Sequence, residues 1–330
     1  MLTLNRREVL QQSVAATIGA GTLSSTLLGA AADGSFPIID THQHLWDISK
    51  FKLPWLESAG DAIKRSFVTK DYIEATRGLQ MKAVYMEVNV HPSQKVLEAE
   101  HVIELSKSDD HPTIAAVIGG VPTSEEFKEY AMRFKDNPHV KGVRRVLHDP
   151  DVKAGTCLTE TFVKNMKLLG KLGMSFDLCM RPTELMDGVK LVDQCPDTRF
   201  IVDHCGNADP KAFGAAGKKG IDDAWHKAEP WKKAIAELAK RKNVICKISG
   251  VVVRAPQGKW NAEQLAPIVN HCLDEFGPDR VVFGSDWPVC LLNAQLRDWV
   301  AALKEITSDR GSDFQRKLFH DNAVRLYKLT

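Results

Sequence analysis

Eight short runs of apolar and β-branched residues constrain this chain more than anything else in it. They are FPIID (36–40), AVYMEV (83–88), TIAAVIGGV (113–121), VKGVRRVL (140–147), MSFDLCM (174–180), RFIVDH (199–204), NVICKIS (243–249) and RVVFGS (280–285). Each is nearly continuously hydrophobic, the pattern of a strand buried on both faces, and such strands belong to parallel sheets covered by helices. Amphipathic periodicity predicts those helices at 93–107, 124–135, 159–172, 183–194, 228–242, 261–276 and 293–307, with a last helix over 312–329 on the barrel exterior. Strands alternating with helices imply a parallel sheet with right-handed crossovers. Eight such strands favour a single-domain α/β fold, the closed (β/α)8 TIM barrel, over an open doubly wound sheet. No glycine-rich dinucleotide loop follows the first run, which weakens the open-sheet alternative further.

The first 32 residues read differently. Arg6 and Arg7 precede an uncharged stretch from Leu10 to Ala32 that ends in Ala30-Ala31-Ala32. A charged start, a weakly apolar middle and a small-residue cleavage pattern define an export signal. The paired arginines match the twin-arginine type, which exports folded proteins. The expected organisation is a cleavable signal over 1–32 and one barrel domain over 33–330, periplasmic or secreted, with no stable membrane association after cleavage. A net charge of +2 provides no basic field for a nucleic-acid backbone, so the expected partner is a small molecule. The seven cysteines are scattered and form no CxxC, which argues against a disulfide framework or a zinc finger.

In a (β/α)8 barrel, catalytic groups sit at the C-terminal ends of the strands. Polar residues gather there in this sequence. The first run ends in Asp40-Thr41-His42-Gln43-His44, the second in Glu87-Val88-Asn89-Val90-His91, and the fourth carries Arg144-Arg145 before His148-Asp149. The sixth ends in Asp203-His204, the seventh contains Lys247 and Ser249, and the eighth ends in Ser285-Asp286-Trp287. In an extended strand His42 and His44 point to the same side, about 6–7 Å apart at their bases, within reach of one ion or one carboxylate. Asp40 is expected to support the first turn by hydrogen bonding. No base arrangement marks Cys179 or Cys205 as a nucleophile.

IIDTHQHLW, GVRRVLHDPD, DHCG, CKISG and FGSDWPV, in this order and spacing, resemble the amidohydrolase-related branch of the metal-dependent hydrolase superfamily. They look closest to its sugar-lactonase group, the L-fuconolactonases and L-rhamnonolactonases. The resemblance spans roughly 36–329. It implies a distorted (β/α)8 barrel and hydrolysis at a carbonyl carbon, with His42, His44, His204 and Asp286 as metal-site positions and Glu87 as an additional ligand. Dinuclear members carry a histidine after the fifth strand. Here that strand ends Asp177-Leu178-Cys179-Met180-Arg181, so two metals are not expected. The donor set suits one divalent ion, zinc by its ligands, with an open position; catalysis without metal is the alternative.

For lactone hydrolysis, Asp286 is the expected general base. His204, or a protonated Asp286, is placed to help the ring oxygen leave. The ion, or in its absence Arg145, Lys247 and the histidines, is expected to polarise the carbonyl. Arg144 and Arg145 are adjacent on a strand, so only one faces the interior, and Arg145 is assigned to the bore. Trp46, His148, Asn89 and Lys247 are expected against the substrate, and loops 47–70 and 207–227 at the rim, the second as a lid. Two other readings are a metal-dependent decarboxylase and a ligand-binding barrel without turnover. The second of these would be marked by a lost HxH or a lost aspartate, and both are present.

Overall fold

The computed structural model describes residues 36–329 apart from 216 and 218–221. The expected export signal lies outside the described residues, as does part of the expected 207–227 lid. Among the described residues no helix is long and apolar enough to cross a membrane.

Every apolar run contributes a strand. In chain order these are β1 (Ile38–Gln43), β2 (Met81–Met86), β3 (Thr113–Gly119), β4 (Val140–Val146), β5 (Ser175–Cys179), β6 (Arg199–Val202), β7 (Val244–Ile248) and β8 (Val281–Phe283). They form one sheet in sequential order, and each neighbouring pair is parallel. β8 is short, and closure against β1 is made by the residues just beyond it. Asp286 N donates to His42 O at 2.9 Å and His44 N to Trp287 O at 2.7 Å, while Thr41 Oγ1 reaches Phe283 O at 2.6 Å. Asp40 does what the sequence suggested. Its buried carboxylate accepts from His42 N, Ser285 N and Tyr72 Oη, which ties the first strand to the last.

Outside the sheet run α1 (Thr69–Ala75), α2 (Lys95–Ser106), α3 (Phe127–Phe134), α4 (Glu160–Lys171), α5 (Leu185–Gln194), α6 (Ala228–Ala239), α7 (Ala262–Phe276) and α8 (Leu296–Ile306). Local chemistry sets their ends. Asn261 and Gln264 exchange side-chain and backbone bonds at the start of α7, and Gly277 ends it at φ +69°. A capping box of this kind satisfies two orphan N–H donors at once.

The bore is filled in layers. Ile39, Val84, Met86, Ala115, Val117, Ile201, Ile245 and Val282 form one buried apolar cluster. Ala323 and Tyr327 belong to the same cluster. The last helix packs, as expected, on the barrel exterior, where Leu318 and Phe319 join the outer apolar cluster and the Phe319 ring lies 5.0 Å from that of Phe283. Its end turns under the barrel and closes the lower end, where Asn322 Nδ2 donates to Val281 O and Lys141 Nζ to Lys328 O, both beside strand starts. Above the apolar layer the bore turns polar, and the candidate site begins there.

Candidate active site

The lowest polar layer is a dry network of ions. Lys247, on β7 and fully buried, lies 2.7 Å from Asp177 Oδ2 and 2.9 Å from Asp203 Oδ1. Burial alone would raise the Asp203 carboxyl, but Lys247 and then His42 hold it well below the ordinary range. Arg144 donates from Nε to Glu87 Oε1 at 2.8 Å and from Nη1 to His42 Nε2 at 3.1 Å, and lies 3.5 Å from Asp203 Oδ2. His42 therefore stands between two cations. Burial, reinforced by Lys247, pushes its pKa well below the ordinary imidazole value, so the ring is neutral.

His42 reaches this layer through an irregularity. Ile39 belongs to the bore cluster, and an even strand would turn residue 42 the other way. The register of β1 against β2 shifts between Asp40 and Gln43. Such a shift re-aims the side chains that follow it.

Above this floor opens a cavity of about 530 Å³. His44, His204 and Asp286 line it, whereas His42 is sealed beneath. The His44 Nδ1 contact with Met86 O, at 2.9 Å, requires Nδ1 to be the donor. That turns Nε2 toward Asp286 Oδ1, 3.4 Å away. Two lone pairs facing each other at that distance need a proton or a cation between them. His204 contacts Ser249 Oγ through Nδ1 at 2.9 Å. Burial lowers its pKa, with Asp286 pulling the other way.

The backbone around this cavity is strained where the side chains matter. Among the described residues, six other than glycine have positive φ: Asn89, His204, Cys205, Asn207, Asp286 and Lys328. Four of the six, all but Cys205 and Lys328, line the cavity. His204–Asn207 form a left-handed turn directly after β6. Such conformations cost roughly 1–2 kcal/mol per residue and persist where surrounding packing enforces them. Gly250 is part of that packing. A Cβ there would meet His204 Nδ1 at 2.5 Å.

The donor set fits one divalent ion. His42 Nε2, His44 Nε2 and Asp286 Oδ1 lie within 4.8 Å of one another, with edges of 3.4 and 3.8 Å to the carboxylate. A tetrahedron with arms of about 2.0–2.1 Å has edges of about 3.4 Å. One feature opposes an ion there: Arg144 already donates to His42 Nε2. Glu87, expected as a further ligand, is held instead by Arg144, by Asn89 N and by Lys95, and does not line the cavity.

Of the other expected residues, Trp46, Asn89 and His148 line the cavity. Lys247 does not reach it. Arg145 does not either, which corrects its assignment to the bore. It turns outward to Asn89 Oδ1 and toward exposed Asp151, and Arg144 takes the inward place. Asn207 and Lys211, from the loop expected at the rim, also line the cavity, and so does Arg254, which sequence reasoning missed. The glycine of DHCG was the one local hint of the left-handed turn that brings Asn207 in.

A family model described as Amidohydrolase matches residues 39–329. An uncharacterised protein of Sinorhizobium fredii is 28% identical over 315 residues, covering 88% of this chain and 98% of its own length. The L-fucono-1,5-lactonase of Burkholderia ambifaria is 28% identical over 301 residues, covering 88% of this chain and 95% of its own. The crystal structure of an amidohydrolase from Burkholderia multivorans with bound zinc superposes with a TM-score of 0.74 at 21% identity, over 89% of this chain and 100% of that one.

Proposed function

The chain belongs to the amidohydrolase family, and on that footing we propose that it hydrolyses a small cyclic ester, a sugar lactone or a close relative. Similarity to a lactonase along nearly the whole chain supports this choice of bond. The observation that carries the reading is the meeting of His44 Nε2 and Asp286 Oδ1, 3.4 Å apart, on the wall of a cavity whose floor is sealed by paired charges.

In the proposed reaction Asp286 takes a proton from water as the water oxygen bonds to the lactone carbonyl carbon. The Ser249 hydroxyl donates to His204 Nδ1, which leaves Nε2–H free to donate to the carbonyl oxygen as charge builds on it. Arg144, clamped by Glu87, adds a fixed positive charge at the cavity floor. Protonated Asp286 then returns the proton to the ring oxygen as the ring C–O bond breaks, giving a hydroxy acid. A divalent ion, zinc by its donors, would be held by His42, His44 and Asp286 and would supply Lewis-acid polarisation of the carbonyl.

A pH-indicator screen of aldonolactones on wild type and Asp286→Asn tests the reading. Asparagine tolerates the positive φ of this position, so the variant keeps its backbone. Wild type should release protons from at least one lactone, and Asp286→Asn should lose about 10²–10⁴-fold in kcat. Full activity in Asp286→Asn would remove it as the base. Carbon dioxide release from carboxylic acids, with no proton release from lactones, would replace hydrolysis by decarboxylation.

A further inference from the structure

Among the described residues three permanently cationic side chains line the cavity, and two already face a protein carboxylate. Arg144 is bonded to Glu87 at 2.8 Å, and Lys211 lies 3.5 Å from Asp209. Arg254 differs. Among the described residues no carboxylate closes on it and none of its N–H groups is hydrogen-bonded. Its guanidinium carbon instead lies 3.8 Å from the centre of the Trp225 ring.

Stacking fixes the plane of a guanidinium but leaves its in-plane donors free. Those donors form a fork that matches a carboxylate. Burial also works against the charge on Arg254 and lowers its pKa, with Asp209 and Asp286 pulling the other way from beyond contact distance, whereas the Arg144 value is raised by Glu87 despite burial. A half-buried cation with no carboxylate in contact is an unfavourable arrangement until an anion reaches it. The other acidic side chains of the cavity wall are engaged elsewhere. Asp149 accepts from Asn89 at 2.7 Å, and Asp209 accepts from Lys211 N at 2.9 Å. His148 adds no charge, because burial and then Arg254 push it down to about 4.

Arg254 ends the short 3₁₀ turn Val251–Arg254 that follows β7. The same strand end carries Ser249, the partner of His204. One rigid element therefore positions both a group beside the reacting carbonyl and the unpaired fork.

We propose that Arg254 is an anion-recognition residue, and that the ring substrate carries a free carboxylate in addition to the ester that is cleaved. The substrate is then an acidic lactone, such as a lactone of an aldaric acid. The ester half of this statement rests on the lactonase reading above; the acidic half rests on Arg254.

The test uses two lactones that differ at one carbon, D-glucono-1,4-lactone and D-glucaro-1,4-lactone, the second bearing a carboxylate in place of the hydroxymethyl group. Proton release gives kcat/KM for wild type, Arg254→Gln and Arg254→Lys. Wild type should prefer the acidic lactone by more than about tenfold. Arg254→Gln should lose on the order of 100-fold on the acidic lactone and collapse the acid-to-neutral ratio, and Arg254→Lys should recover part of it. A wild type without that preference, or an Arg254→Gln variant that loses equally on both lactones, overturns the proposal. Calorimetric binding of D-glucaro-1,4-lactone separates the two readings. Binding that depends on Arg254 without proton release leaves the acidic substrate standing and removes the lactonase. Binding that is absent, or unchanged in Arg254→Gln, removes the anion site.

Discussion

Replacing Lys247 with methionine decides whether this lysine reacts with substrate or holds up the floor beneath it. The ammonium is fully buried, 2.7 Å from Asp177 and 2.9 Å from Asp203. Its removal leaves two carboxylates buried without their main counter-charge, which should cost about 3–5 kcal/mol at pH 8. Burial, with Asp203 nearby, already pushes Asp177 up to about 7 against the pull of Lys247. The folded pKa is thus above the unfolded one, so this group's contribution to stability is complete at low pH and is lost as pH rises through the folded value. Lys247→Met should accordingly be less destabilised at pH 5.5 than at pH 8. Adding Asp177→Asn removes one orphaned charge and should restore about half of the loss. Urea unfolding followed by tryptophan fluorescence gives these numbers. The kinetic arm is decisive. A lysine that touched the lactone carbonyl would cost about 10²–10³-fold in kcat when removed, whereas the restored double variant should stay within about tenfold of wild type. A folded Lys247→Met/Asp177→Asn protein that loses 100-fold or more would refute the structural role, and so would a Lys247→Met variant that loses less than about 1 kcal/mol.

Elemental analysis of purified protein should find one zinc per chain, and none in His44→Ala; zinc retained in that variant would move the metal away from His42, His44 and Asp286. Glu98, buried beside Glu87, is raised by burial to about 7. Its contribution to stability is complete below the unfolded value near 4.5 and is lost as pH rises through 7. Glu98→Gln keeps an acceptor for Val88 N and Tyr85 Oη. It should therefore gain about 3 kcal/mol on wild type between pH 4.5 and 8 in urea melts; parallel curves for the two proteins would remove the buried charge as the cause.

The strands were legible because burial on both faces leaves a continuous apolar signature that eight loops cannot blur. The helices between them were mostly legible for a similar reason, since one face must be apolar. α1 was not, because at seven residues it is too short for periodicity to rise above the surrounding loop. The site was legible where polar residues interrupt an apolar run, as in His42-Gln43-His44 and Ser285-Asp286. The phase of β4 was not. Val143-Arg144-Arg145-Val146 reads the same from either direction, so each phase puts one valine and one arginine on each face. Only the packed barrel separates them, with Arg144 and Val146 on the cavity wall. Arg254 escaped because an arginine in a loop has an ordinary solvated explanation. Its significance lies in the partner it lacks, and a sequence does not record missing partners.

The two histidines of the HxH pair do unequal work. His42 lies in the floor, neutral and clasped by Arg144, while His44 lines the cavity and faces Asp286. The floor balances itself without an ion, because Lys95, Arg144 and Lys247 meet Glu87, Asp177 and Asp203. A divalent ion entering above it would have Asp286 as its one carboxylate ligand and would add positive charge to the cavity wall. Arg254 adds a second unpaired positive charge on the same wall. Both point the same way, toward a substrate that brings its own negative charge, and low dielectric around the cavity strengthens that attraction. Acidic and neutral lactones therefore probe the electrostatics of the entire cavity, and the Arg254 variants separate the part carried by the arginine from the part carried by whatever sits between His44 and Asp286.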